Sequence, residues 1–165
     1  MQQEFAVQHY EHRTTRSYDD VIAAFEAATG SVEGGVLFQN ARSAKTLEEF
    51  EAFVHSQESS SGFMRFLTID HGWMARYGSK ARSRMYTIGN PLIARTMLRH
   101  SVAAGLNVPI RIFIYEDLNS GTTRFAYDLP SSLMSVLQND EVMAAAKKLD
   151  EKLLSLARQV TGSEA

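Results

Sequence analysis

The side chains that could do chemistry interrupt otherwise apolar stretches, and two of them stand out. His71 closes the apolar run from Phe63 to Ile69, beside Asp70 and shortly before Trp73, the single tryptophan of the chain. An imidazole there could act as a general base or as an axial haem ligand. Glu116 follows Val108, Ile110, Ile112 and Ile114 at alternate positions, so on a strand it shares a face with four aliphatic side chains. Burial on that face would raise its pKa toward the range useful for proton transfer. His71 and Glu116 are therefore the candidate catalytic residues. Asp70, Trp73, Tyr86, Arg111, Tyr115 and Tyr127 are the candidate ligand-binding residues, the tyrosines and Arg111 as hydrogen-bond donors to a carboxylate or carbonyl.

Each of these has a plainer reading. Asp-His-Gly is also ordinary turn composition. Adjacent strand residues point to opposite faces, so Asp70 orients His71 only if the strand has already ended. A carboxylate at a strand end also reaches water or pairs with a cation such as Arg111 or Arg124, and strand tyrosines and arginines pack and snorkel. The remaining histidines carry less. His9 and His12 lie three apart on a predicted strand and face opposite ways, which argues against a chelating pair. His55 sits at a helix end, where a cation favours the dipole. His100 shares a helical stripe with Ile93 and Met97, which suits a packed histidine, with haem ligation as its alternative. There is no His-x-x-x-His pair, phosphate loop, dinucleotide fingerprint or Gly-x-Ser-x-Gly elbow, so no metal site is expected and the commonest nucleotide and acyl-transfer readings fall away.

The elements that must position these residues are legible from periodicity. Phe5 to Thr15 alternates as a first strand. Ser17 with Asp20 caps a helix bearing Val21, Ile22 and Phe25, for which Gly30 is the expected left-handed stop. Thr46 with Glu49 opens a short amphipathic helix carrying Leu47, Phe50, Phe53 and Val54, between segments expected to be flexible, Glu58 to Gly62 among them. Phe63 to Ile69 and Lys80 to Ile88 read as paired strands. Asn90 and Pro91 start a helix expected to run to Ala104 and stop at Gly105. The strand ending at Glu116 turns through Asp117 to Gly121 into a partner at Thr122 to Tyr127. Val142, Ala146, Leu149, Leu153, Leu156 and Val160 then form one stripe of a long final helix. These elements predict an α+β, two-layer architecture: a curved antiparallel sheet packed by helices, with the long C-terminal helix lying across it.

Composition bounds the rest. A chain of 165 residues is expected to form one domain with a sizeable core, and it contains no cysteine, which removes disulfides, thiolate metal sites and cysteine nucleophiles and fits a reducing cytoplasm. With a net charge of −2 and a lone basic cluster at Arg76, Lys80, Arg82 and Arg84, neither a nucleic-acid nor a membrane partner is expected.

The order Tyr86-Thr87-Ile88-Gly89-Asn90-Pro91, then Val108 to Glu116, then Leu129-Pro130-Ser131-Ser132-Leu133 and a terminal helix, resembles the family named domain of unknown function 302, best over residues 82–162. The resemblance implies a TATA-binding-protein-like or helix-grip-like sheet. It sets residues 32–61 apart as a helical insertion. Gly89 and Ile110 stand where many relatives carry cysteine, so no thiol role transfers. Two functions follow as expectations: a small-molecule-binding domain with an apolar pocket between the sheet and the C-terminal helix, or a small enzyme doing acid/base chemistry on an apolar or aromatic substrate, with haem as a conceivable cofactor. A homodimer is expected, because the apolar stripe of the Leu47 helix needs a surface to cover it.

Overall fold

The alternation from Val108 to Glu116 sets the centre of the molecule. In the computed structural model, which describes residues 2–162, the strands are β1 (His9–Thr14), β2 (Gly30–Ser31), β3 (Met64–Asp70), β4 (Ser83–Gly89), β5 (Ile110–Asp117) and β6 (Thr122–Asp128). They form one sheet in the order β1-β6-β5-β4-β3-β2, antiparallel throughout except for the short parallel edge between β2 and β3. Ile110, Ile112 and Ile114 of β5 are buried on one face, opposite Ile88, Tyr86 and Arg84 of β4. Arg111 and Phe113 are exposed on the other.

The helices are α1 (Tyr18–Ala28), α2 (Val36–Ser43), α3 (Leu47–Gln57), α4 (Pro91–Leu98), α5 (Pro130–Met134) and α6 (Asp140–Thr161). α6 buries the predicted stripe Val142, Ala146, Leu149, Leu153, Leu156 and Val160 against Phe25 of α1, Met97 of α4 and the inner sheet face. Its ends are closed as its sequence dictates. Asn139 Oδ1 accepts from the Val142 N–H at 2.9 Å, and Gly162 takes the left-handed turn at φ 66°. The result is the expected α+β architecture, a curved sheet backed by helices with a long helix at the C-terminus.

Several local expectations are corrected. β1 begins at His9 rather than Phe5, because its partner β6 ends at Asp128 and the next residues enter α5 through Pro130, which has no N–H to extend a ladder. The Gln8 carbonyl instead accepts from the Leu129 N–H at 2.9 Å. Gly30 is not a left-handed stop. α1 ends at an extended Thr29, and its last carbonyls are capped by Arg65, whose Nη1 donates to the Glu26 and Thr29 oxygens at 2.8 Å each. That frees Gly30 to pair with Met64, and the position requires glycine because a Cβ there would lie 1.7 Å from the Gln57 carbonyl oxygen.

α4 stops at Leu98, well short of Ala104. An extended Ser101 separates it from a 3₁₀ turn over Val102–Asn107, which carries Ala104 into the core and contains the expected stop, Gly105. Residues 32–61 hold two helices, not one, and the Glu58 to Gly62 stretch is pinned: Ser59 Oγ donates to the Ala27 carbonyl at 2.7 Å and the Ser61 N–H to the Ala28 carbonyl at 3.1 Å. Val54, Phe50 and Phe53 pack with Val32, Leu37, Met64, Phe66 and Leu92 in a second apolar cluster. The chain's own β3 and α4 thus cover Phe50, Phe53 and Val54 of the stripe, while Leu47 stays exposed.

Candidate functional site

The strand ends sort the candidate residues into two regions. At the Ser83/Asp117 end, charged side chains satisfy one another. Asp70 ends β3 and caps the following 3₁₀ turn, accepting from the Gly72 N–H at 2.7 Å, and also accepts from Arg84 Nη2 at 2.6 Å. The turn amide first, and then the guanidinium, hold the Asp70 carboxyl below the usual carboxylate range. Arg84 Nη1 donates to Glu26 at 3.0 Å, and the same Glu26 oxygen accepts from the Tyr86 hydroxyl at 2.8 Å. Tyr86 is fully buried, and that burial pushes its hydroxyl well above the ordinary tyrosine value. Arg82 bridges Asp19 at 2.9 Å and Glu116 at 2.9 Å, with its guanidinium stacked 4.7 Å from the Tyr18 ring centre.

Glu116 does fall in register with the aliphatic face, but its environment differs from the expected one. Both its oxygens accept from Arg82, from the backbone N–H at 2.8 Å and from Nη2 at 2.9 Å, so its pKa is lowered, not raised. Its partner is Arg82 rather than Arg111 or Arg124. Arg124 bonds Asp117 at 2.8 Å and Glu11 at 2.9 Å, while Arg111 has no carboxylate within reach among the described residues.

The remaining candidates scatter. His71 stands at the start of the 3₁₀ turn His71–Tyr77 with its ring edge-on to Phe113, 6.1 Å between centres, on the face opposite Ile112 and Ile114. Trp73 is 56% exposed on that turn and stacks edge-to-face on Tyr77. Tyr115 donates to Glu11 at 2.7 Å, and loss of hydration together with that bond pushes its hydroxyl up to about 12. Tyr127 lies on the inner face, stacked between Tyr10 and His12, its hydroxyl likewise pushed up to about 12 by burial. The structure thus joins Asp70 and Tyr86 through Arg84 and Glu26, neighbours that sequence reasoning missed. It brings His71 and Glu116 into no common site.

The hollows lie at the opposite end of the sheet. A cavity of about 420 Å³ is walled by Leu37 and Phe38 of α2, Phe66, Ile88, Gly89, Pro91, Ala94, Met97, Val108, Pro109, Ile110 and Leu149. Phe66 reaches it because β3 bulges between Arg65 and Leu67, which places one extra residue on the strand. On the other side of α4 a wider groove of about 740 Å³ runs between α3, α4 and α6. The two share Asn90, Ile93 and Leu149. Asn90 fixes this wall: its Oδ1 accepts from the Leu92 N–H at 2.9 Å, and its amide donates to the Gly62 carbonyl at 2.9 Å and to Glu58, whose other oxygen bonds His55 Nδ1 at 3.1 Å. No sequence signal marks the cavity in advance, since the small and cyclic residues that leave it open, Gly89, Pro91, Ala94 and Pro109, follow no period.

Among the described residues no three histidine or acidic side chains gather to hold a metal ion, and no helix is long and apolar enough to cross a membrane. Of the two haem-ligand candidates, His71 borders neither hollow. His100 borders the groove, with its Nε2 accepting from Arg99 Nε at 3.1 Å.

A helix-backed, mostly antiparallel sheet with a long terminal helix defines an α+β domain, and the sequence places it within a family. Residues 39–160 match the family described as Domain of unknown function DUF302, and the chain belongs to it. The matched range includes α3. The crystal structure of an uncharacterized conserved DUF302 protein from Bacillus stearothermophilus is similar in fold, with a TM-score of 0.65 at 14% identity, covering 92% of this chain and 97% of that one. No protein of curated function matches the chain.

Proposed function

We propose that this domain binds an apolar small molecule in the cavity at the Gly89/Val108 end of the sheet. The observation that carries the reading is the hollow itself: about 420 Å³, open to solvent and walled almost wholly by carbon, with Phe38, Phe66 and Pro109 at its surface and the buried Ile88, Ile110 and Leu149 behind them. That volume lies within the range of ligand pockets, and Asn90, the polar side chain on the lining, is already bonded to Glu58, Gly62 and Leu92, so an apolar occupant restores the missing dispersion contacts. The site is displaced from the one expected at Glu116, Tyr86 and His71. Between α6 and the middle of the sheet the space is filled by Tyr86, Ile112, Phe125 and Leu153. The acid/base alternative gains no support from His71 and Glu116, which share neither a face nor a cavity.

Titration with the apolar fluorophore N-phenyl-1-naphthylamine tests the reading. The protein should enhance its emission saturably, and Ala94→Phe, which places a ring in the cavity, should weaken binding by about tenfold or more. Equal affinity in both proteins would place the probe elsewhere and sink the proposal. Trp73 fluorescence should stay unchanged on binding, since Trp73 belongs to the 3₁₀ turn at the far strand ends.

A further inference from the structure

We propose that the ligand is an amphiphile with an anionic head, its tail in the apolar cavity and its carboxylate or phosphate held at the rim of the adjoining groove by Lys148, Lys152 and Arg99; this rests on the apolar-ligand reading above. The groove's floor is apolar, made by Leu92, Ile93, Ala144, Ala145 and Leu149, and its rim is not. Lys148 and Lys152 stand one helical turn apart on the exposed side of α6, and Arg99 follows the last residue of α4 on the facing wall. None of the three has a carboxylate within ion-pair distance among the described residues, although nearby Arg95 pairs with Glu51 at 3.3 Å.

The acids on the same rim do not cancel this charge. Glu58 is occupied by His55 and the Asn90 amide, and Glu141 lies about two turns from Lys148, in the first turn of α6. Lys152 is already poised over an apolar surface, its ammonium 5.9 Å from the Phe63 ring centre. The polar end of the sheet offers a contrast in the same molecule, since there Arg82, Arg84 and Arg124 each pair with two carboxylates. Ile93 and Leu149 line both cavity and groove, so the proposed ligand would cross between them over those two side chains, with its head among the three cations.

Displacement of N-phenyl-1-naphthylamine by decanoate and by 1-decanol, ligands with equal tails and different heads, decides the matter. Decanoate should bind about tenfold tighter than the alcohol, the scale of a charge-assisted contact partly exposed to water. The triple variant Arg99→Gln/Lys148→Gln/Lys152→Gln should lower decanoate to the alcohol's affinity and leave the alcohol unchanged, while Lys148→Arg/Lys152→Arg keeps the preference. Circular dichroism confirms folding; both lysines are exposed. Equal affinity of the two ligands for the parent, or a preference that survives the glutamine variant, would overturn this inference and leave the apolar site standing. Failure of the fluorophore itself to bind would remove the apolar site and this inference together.

Discussion

The two ends of the sheet are built from opposite materials. At the Ser83/Asp117 end, Asp19, Glu26, Asp70 and Glu116 are bound by Arg82 and Arg84, and the hydroxyl of a fully buried tyrosine is tied into the same cluster. At the Gly89/Ile110 end, prolines, a glycine and short aliphatic chains leave a hollow. The polar end looks more like a functional site in sequence, because it holds the titratable residues. In the fold it is the less available of the two: each charge has a partner, and the pKa shifts of Asp70 and Glu116 run toward staying ionised rather than toward exchanging a proton. The apolar end has nothing internal to fill it.

The largest expected effect lies where the apolar end is joined to α1. Gly30→Ala drives a methyl into the Gln57 backbone carbonyl, and backbone at the end of α3 cannot yield as a flexible side chain does. A loss of about 3 kcal/mol in urea unfolding is expected, the upper range for overpacking. A loss under ~0.5 kcal/mol would mean that the β2 edge adjusts freely and that α3 is not held against β3.

At the polar end, Arg84→Ala strips Asp70, Glu26 and Tyr86 of a shared donor. The cost should be about 2 kcal/mol, below that of breaking a fully buried pair because solvent reaches part of the cluster. The pH dependence follows in sign. Asp70 and Glu116 have folded pKa values below their unfolded ones, so their contribution is fully present only above about pH 5 and is lost as the pH falls through the folded values. Stability of the parent should therefore drop on acidification below about pH 5, and Arg84→Ala should drop less steeply. A parent stability independent of pH in that range would show that these pairs add nothing.

The difference between the ends also explains what could be read in advance. β5 and α6 were legible because one periodicity of apolar residues fixes a face, and Ser17, Thr46 and Asn90 were legible because a cap acts within three residues. The ion pairs were not, since Arg82 meets Asp19 and Glu116 at separations of 63 and 34 residues, and sequence carries no rule for such partners. Gly30 was misread because glycine serves both a left-handed stop and a close backbone approach, and only the position of Gln57 distinguishes them. The cavity was invisible for a different reason. A hollow is made by what several distant segments fail to fill, here Gly89, Ala94 and Pro109, and absence of side chain has no period.

Asn90 sharpens the comparison, because it is the polar residue on the lining of both hollows. As an N-cap alone it would contribute on the order of 1 kcal/mol. Its amide also ties α4 to Gly62 and Glu58, so Asn90→Ala should cost about 1.5 kcal/mol. Asn90→Asp keeps the cap acceptor but sets a carboxylate beside Glu58, and it should cost nearly as much. If Asn90→Asp were as stable as the parent, the links to Gly62 and Glu58 would carry no weight and the cap would be its whole role.

The smallest effect is expected from filling the apolar end. Ala94 borders the cavity on α4, and its replacement by phenylalanine adds a ring where the structure leaves space. In a packed core such an enlargement costs about 1–3 kcal/mol. Here the gain in buried apolar surface should offset the helix-propensity loss, leaving stability within about 0.5 kcal/mol of the parent while probe binding falls. The same substitution at a position with no adjoining space gives the control: Ala146→Phe on α6, where Ala146 is fully buried in the core, should destabilise by about 2–3 kcal/mol. Equal losses at Ala94 and Ala146 would mean that the Gly89/Val108 end is packed like the rest of the core and that no hollow exists there for a ligand to occupy.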